Sequence, residues 1–305
     1  MIDRIALLGA TGHIAKNIIV RGLIDPNQEW SLFSRRPQYV QTFIENEVVS
    51  PQPHQNLDYQ DFEKTNYDVI INTVGITENE VLINHPSAIF EADSIDTRVL
   101  SYLLNGHEAT RYIHFSSGAV YGDVYDEEVT TEYSRIPISP IEKEHYYGIS
   151  KLYLEARHRA YPQLLISDIR IYNFFSRFID LNSKYLVVQL INACREVRVF
   201  ETSSEAIYRD FLHPDDLWAI LQYLFDSKDA FPTIEPASLE KISKSDMIQL
   251  FVESFGLIVY INKNSTQSTK ENKTYYYPRN PFSPIRSTMT SHETILSIAR
   301  QLPMT

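Results

Sequence analysis

Cysteine occurs once in this chain, at Cys194. A single thiol excludes an intrachain disulfide framework, and no cysteine–histidine cluster has the spacing of a metal centre. No metal is expected, and Cys194 reads as a small packing residue. No apolar run approaches the ~20 residues of a membrane helix, and the first strand already begins at residue 5, where a secretory leader would lie. The chain therefore reads as cytoplasmic, with no membrane partner. Positive charge is also short: 28 lysines and arginines face 39 aspartates and glutamates, a net charge of −11. A phosphate-tracking nucleic-acid binder needs a basic face that this balance does not offer, although a few local arginines suffice for one nucleotide. Internal repeats and biased segments are missing too.

What is present is an alternation. With 305 residues, 43% of them hydrophobic, the chain can bury one large α/β core or a domain with an attached lobe. Short apolar runs at residues 5–8, 30–33, 69–73, 112–115 and 164–171 alternate with helical patterns at 14–22, 38–45, 87–104 and 141–161. That order predicts a doubly wound parallel sheet joined by right-handed crossovers. Beyond about residue 175 the elements become smaller. Helices are expected over 186–195, from 214, over 246–255 and over 291–301, with a strand over 197–200 and a polar loop over 262–273.

The first strand runs into GATGHIA, residues 9–15, directly before a helix. Gly9 permits a tight turn, Gly12 lets the backbone approach a pyrophosphate, and the helix N-terminus supplies free amide donors; Ala15 takes the place of a third glycine. Gly9, Thr11, Gly12, His13 and Ile14 are thus candidate cofactor contacts in a Rossmann-type α/β fold. The second strand ends in Ser34, Arg35 and Arg36, where an NAD site would place a carboxylate for the ribose 2′-hydroxyl. Two guanidiniums there suit a 2′-phosphate, so NADP is the expected cofactor and NAD the alternative. Asp61 and Phe62 are expected near the adenine, and Thr73, Val74 and Gly75 offer backbone to the cofactor. The expected organisation is a dinucleotide-binding domain over 1–175, to which 205–230 returns, and a smaller C-terminal substrate-binding lobe over 176–204 and 231–305.

Ser117, Tyr147 and Lys151 carry the chemistry. Tyr147 and Lys151 lie four apart in a helical stretch and share one face. A cation beside a phenol stabilises the phenolate and lowers a pKa that starts near ~10, as carbonyl reduction or alcohol oxidation requires. Taken with GATGHIA, the segments FSSGAVYG (115–122), YYGISK (146–151) and RDFLHPDDL (209–217) resemble the extended short-chain dehydrogenase/reductases, and more narrowly the NAD-dependent epimerase/dehydratase family acting on nucleotide sugars. The likeness runs to about residue 220. It implies Ser117 as a hydrogen-bond donor to the reacting oxygen, Tyr147 as general acid/base, and Lys151 on the nicotinamide ribose. It also implies Ser116 facing the cofactor, Asn173 approaching the substrate after Arg170, and Arg209 pairing with the substrate diphosphate; Arg279 or Arg286 could supply a second arginine.

The 4,6-dehydratases of that family carry an Asp-Glu pair after the catalytic threonine; here Gly118 and Ala119 stand instead, which argues against dehydration. The resemblance implies an NADP(H)-dependent reductase of a nucleotide-activated 4-keto sugar, in surface-polysaccharide sugar biosynthesis. The alternatives are a nucleotide-sugar 4-epimerase retaining NAD and a non-catalytic dinucleotide-binding regulator. A homodimer is expected by the same resemblance, through a seam that Leu100, Leu103, Leu104, Leu152 and Leu154 could line. His107, His114 and His145 lack partners at ligand spacing and read as ordinary core or surface residues.

Overall fold

The computed structural model describes residues 3–76, 84–122, 136, 138–262 and 274–303. The long strands are β1 (Asp3–Leu8), β2 (Gln28–Phe33), β3 (His54–Leu57), β4 (Val69–Asn72), β5 (Arg111–Ser117) and β6 (Ile166–Ile171). Shorter ones follow: β7 (Asn173–Phe174), β8 (Phe200–Ser203), β9 (Tyr208–Arg209), β10 (Phe211–Leu212), β11 (Thr233–Ile234), β12 (Ile242–Ser243), β13 (Val259–Asn262) and β14 (Tyr275–Tyr276). Among the described residues, seven strands form one sheet in the order β11-β6-β5-β4-β1-β2-β3, and each neighbouring pair is parallel. Helices are α1 (His13–Gly22), α2 (Pro37–Glu47), α3 (Ala88–Ala92), α4 (Ser94–Leu104), α5 (Tyr146–Arg159), α6 (Leu186–Arg195), α7 (Pro214–Asp226), α8 (Lys244–Phe255) and α9 (Ser291–Ala299). This is the doubly wound parallel sheet that the alternation of apolar runs predicts.

The two faces of the sheet follow from the two-residue period of its strands. In β1, Ile5 and Leu7 enter a core with Trp30, Ile71, Leu217 and Leu221, under α1, α2 and α7. Ala6 and Leu8 enter the opposite core with Phe33, Ile70, Val99 and Leu103, under α4. Strands buried on both faces read as unbroken apolar runs, which is why these were legible. A third core gathers Val188, Leu190, Ile191, Met247, Phe251 and Ile295 from α6, α8 and α9. Fully burying each such side chain contributes roughly 1.5–3 kcal/mol.

Several expectations shift. The seventh strand, β11, lies inside the segment allotted to the lobe, so the chain returns to the sheet once more. Polar β3 (HQNL) gave no apolar signal because it is the outer strand beside β2. The single helix expected over 87–104 is two, parted at Asp93, whose carboxylate accepts the Ser150 hydroxyl at 2.9 Å. The strand expected over 197–200 starts at Phe200 instead. Val197 (φ 49°) closes α6 through a backbone bond to Cys194. The polar loop expected over 262–273 falls almost wholly outside the described residues. No described helix is long and apolar enough to cross a membrane.

Candidate active site

The turn after β1 is built for close approach. Gly9 has φ +85°, and a Cβ there would stand 2.7 Å from Thr73 Oγ1, so only glycine fits. Thr73 Oγ1 in turn donates to Leu8 O at 2.8 Å. Gly12 caps α1 with no side-chain acceptor, which leaves the first amides of that helix to serve an anion. Thr11 is exposed, and Ile14 packs partly against the core. His13 Nε2 lies 2.7 Å from Ser176 Oγ; burial, helped by Lys16, pulls its pKa to about 4, so the ring is neutral.

Arg35 and Arg36 are exposed at the end of β2, with no carboxylate beside them in sequence. Buried Ser34 accepts the Arg36 amide at 3.2 Å, and the Arg36 guanidinium sits 5.5 Å over the Tyr39 ring. Burial raises the Tyr59 pKa, and the Gly9 backbone and the Arg35 charge oppose it, which places this ring near both the arginines and the glycine turn. Asp61 pairs with Lys64 at 2.6 Å. The Phe62 ring is buried in the core, stacked 5.5 Å from Tyr67.

Ser117 ends β5, and Tyr147 and Lys151 occupy the first two turns of α5. Ser117 Oγ accepts the Ala119 amide at 3.2 Å and lies 3.3 Å from the Tyr276 hydroxyl. It is near enough to the Tyr147 phenol to act on its pKa. Tyr276 arrives on β14, which pairs in parallel with β9 and sets Tyr276 opposite Arg209. The Arg209 guanidinium lies 6.0 Å from the Tyr276 ring, and burial pulls its pKa to about 10. Lys151 Nζ donates to Phe115 O at 2.8 Å and reaches Val74 O at 3.5 Å. It stands 3.6 Å from where a Gly75 Cβ would be. Lysine, glycine-turn strand ends and serine therefore converge at the C-terminal edge of the sheet, the place where open α/β sheets bind ligands.

The Tyr147 phenol differs from expectation. Burial, then the neighbouring Tyr276, pushes its pKa above the ordinary value, while Ser117 pulls the other way; Lys151 is not among the groups that move it. Tyr147 is therefore a protonated phenol at neutral pH.

The Ser116 hydroxyl donates to buried Glu155 Oε1 at 2.6 Å. Glu155 is fully buried and accepts Arg170 through both oxygens, at 2.9 and 2.6 Å. Arg170 reaches on to the Tyr121 hydroxyl (2.8 Å) and Glu235 (3.4 Å), and Glu235 accepts the hydroxyls of Tyr121 (2.9 Å) and Tyr172. Asn173 Nδ2 donates to Asp210 O at 2.9 Å, which ties β7 to the segment bearing Arg209. Gly118 packs against Tyr172 so closely that a Cβ would fall 2.4 Å from the ring. Arg279 is half-buried with its guanidinium 5.6 Å from the Tyr277 ring, and Arg286 is exposed. Tyr276, Glu155 and Glu235 are marked by no sequence motif; Tyr276 and Glu235 come from far along the chain, and Glu155 lies one turn beyond Lys151 on α5.

A parallel Rossmann sheet with a glycine turn, a strand-end serine and a Tyr-x-x-x-Lys helix defines a short-chain dehydrogenase/reductase of the extended type. The chain belongs to the NAD-dependent epimerase/dehydratase family, whose model matches residues 5–235, and is thus an enzyme of that class. Its fold is shared by Pal from Bacillus thuringiensis (16% identical, 97% of this chain and 98% of that one, TM-score 0.74). It is shared too by the UDP-Glc/GlcNAc 4-epimerase from the human pathogen Campylobacter jejuni (17%, 98% and 100%, TM-score 0.71). A third is the dTDP-glucose 4,6-dehydratase from Bacillus anthracis in complex with NAD (14%, 98% and 96%, TM-score 0.72).

Proposed function

We propose that this protein is an NADP(H)-dependent reductase of a nucleotide-activated 4-keto sugar. The observation that carries the reading is the end of β2, where exposed Arg35 and Arg36 stand in place of a carboxylate. Such guanidinium forks favour a 2′-phosphorylated ribose. The cradle fits a dinucleotide: only glycine can occupy position 9 against Thr73, and the α1 amides are uncapped. Gly9, Thr11, Gly12, His13 and Ile14 would hold the pyrophosphate, Arg35 and Arg36 the 2′-phosphate, and Lys151 the nicotinamide ribose. When bound, the dinucleotide supplies the hydride.

The chain's own residues do the rest. Ser117 donates a hydrogen bond to the sugar carbonyl oxygen as it gains charge, and protonated Tyr147 gives that oxygen its proton. At neutral pH the phenol carries the proton that this step requires. Arg209 would pair with the diphosphate, and Asn173 would border the sugar. Dehydration is disfavoured because Gly118, locked against Tyr172, and Ala119 move no protons.

A 4-epimerase retaining NAD is the second reading, favoured by neighbours described as UDP-glucose and UDP-N-acetylglucosamine 4-epimerases. The test is absorbance of reduced nicotinamide with 4-keto-6-deoxy sugar nucleotides carrying UDP, dTDP, GDP or CDP. Consumption of NADPH, falling about 10²–10⁴-fold in Tyr147→Phe, is expected. Interconversion of UDP-glucose and UDP-galactose with tightly bound NAD, and no consumption of NADPH, would select the epimerase.

A further inference from the structure

Behind Lys151 runs a string of buried polar side chains drawn from four elements. His114 of β5 and Asp168 of β6 are 0% exposed, Asp96 of α4 is 1% and His158 of α5 is 4%. Lys151 Nζ lies 3.4 Å from His114 Nε2. His114 Nδ1 lies 2.7 Å from Asp168 Oδ1, and the same oxygen is 2.8 Å from His158 Nδ1. His158 Nε2 lies 2.8 Å from Asp96 Oδ1, which also accepts the Tyr112 hydroxyl at 2.7 Å.

Counting donors and acceptors fixes the protons. Both His158 nitrogens face carboxylate oxygens, which only accept, so both carry hydrogen and the ring is an imidazolium. His114 Nδ1 faces Asp168 and carries a hydrogen; its Nε2 faces an ammonium, which only donates, and so must offer its lone pair. His114 is therefore neutral. The electrostatics agree. Burial, then Lys151, depresses the His114 pKa below 6.5; burial lowers that of His158, but the bonds to Asp168 and Asp96 outweigh it and raise it to about 9. His114, His158 and Asp168 also have the spacing of metal ligands. Every donor nitrogen is already spent, however, one of them on an ammonium, so hydrogen bonds account for the cluster.

We propose that His114, backed by Asp168, His158 and Asp96, is the positioning residue for Lys151, holding its ammonium charged and aimed. His114 Nε2 receives one ammonium hydrogen and Phe115 O a second. The third is left on the side of Val74 and Gly75, where the ribose would lie. This rests on reading Lys151 as the dinucleotide-binding residue. Burial lowers the Lys151 pKa, and Asp93, Asp96, Asp168 and Glu155 oppose it. The other charges facing the cluster are His158, Arg157, 3.5 Å from Asp96, and Arg170, held on Glu155.

Removing Asp168 should therefore let Lys151 lose its proton at lower pH. The experiment follows binding of NADPH and NADH across a pH series, using the tighter of the two, in wild type, Asp168→Asn and His114→Leu. At every pH His114→Leu is expected to bind more weakly than wild type, because the ammonium loses an acceptor that aims it. The midpoint at which affinity falls with rising pH should drop by about one unit. An unchanged midpoint in both variants overturns the proposal. Should the variants not fold, nitrogen-15 NMR of the wild-type ring nitrogens decides. His114 neutral with its hydrogen on Nδ1, and His158 doubly protonated, are expected between about pH 6 and 8. A His114 that gains a proton in that range, or a neutral His158, overturns it. Wild type binding neither dinucleotide removes the Lys151 role itself, an outcome that the ring-nitrogen spectra distinguish from a misread network.

Discussion

Glu155→Ala should be among the most damaging single changes in this protein. Glu155 sits on α5 with no exposure, accepting Arg170 at 2.9 and 2.6 Å, Ser116 at 2.6 Å and Arg159 at 3.0 Å. Its removal strands a mostly buried guanidinium with, among the described residues, only Glu235, 3.4 Å away, as a carboxylate partner. Breaking a buried pair by deleting one member costs roughly 3–5 kcal/mol, and Glu155→Gln, which keeps the shape but loses the charge, about 1–3 kcal/mol. In urea titrations the midpoint should fall with the slope unchanged, and the Tm should drop by about 2 °C per kcal/mol. The double variant Glu155→Leu/Arg170→Met should recover much of the loss, because replacing a buried pair with apolar residues is often close to neutral. Burial raises the Glu155 pKa, but Arg170 outweighs it and leaves it below 4.5. Its contribution is therefore present above pH 4.5 and is lost on acidification through the lower folded value, and Glu155→Gln should flatten that part of the stability profile. A Glu155→Gln protein within about 0.5 kcal/mol of wild type, or a double variant no better than the single, would refute the assignment.

Three further outcomes are expected. Gly118→Ala puts a methyl 2.4 Å from the Tyr172 ring, and should cost about 1–3 kcal/mol in urea unfolding. Tyr276→Phe removes a group that raises the Tyr147 pKa, so the alkaline limb of the kcat profile should move to lower pH; an unmoved limb would place Tyr276 outside the proton-transfer centre. Replacing Arg35 and Arg36 together by Ala should lower the preference for NADPH over NADH by about tenfold or more in titrations of dinucleotide fluorescence, whereas an unchanged preference would remove the NADP argument.

The sheet was legible because its inner strands are apolar on both faces, and β1 followed at once by GATG marks the turn unaided. Ser117, Tyr147 and Lys151 were legible through spacing within one local stretch. Polar β3 was not, since an outer strand needs no apolar face. Tyr276 was not, because its place beside Ser117 depends on β14 pairing with β9 across a long stretch of sequence. His114 read as an ordinary core histidine, yet its partners Asp168 and His158 come from the next strand and a helix. Whether a buried imidazole is idle or engaged depends on contacts that no local pattern encodes. The Ser116 hydroxyl was placed the same way, by Glu155 one helix later.

The return of the chain to the sheet at β11 means that the strand covering β6 is synthesised long after β6 itself. Strands β1 to β6 emerge first and can pair, leaving β6 as a bare edge until Thr233 and Ile234 arrive beside it. Glu235 follows at once and exchanges backbone hydrogen bonds with Phe282, only about twenty residues before the described chain ends. The glycine turn is thus synthesised early, and Tyr276, the phenol facing Ser117, late. A chain interrupted before β11 would lack that facing phenol, and its open strand edge would invite association with other chains.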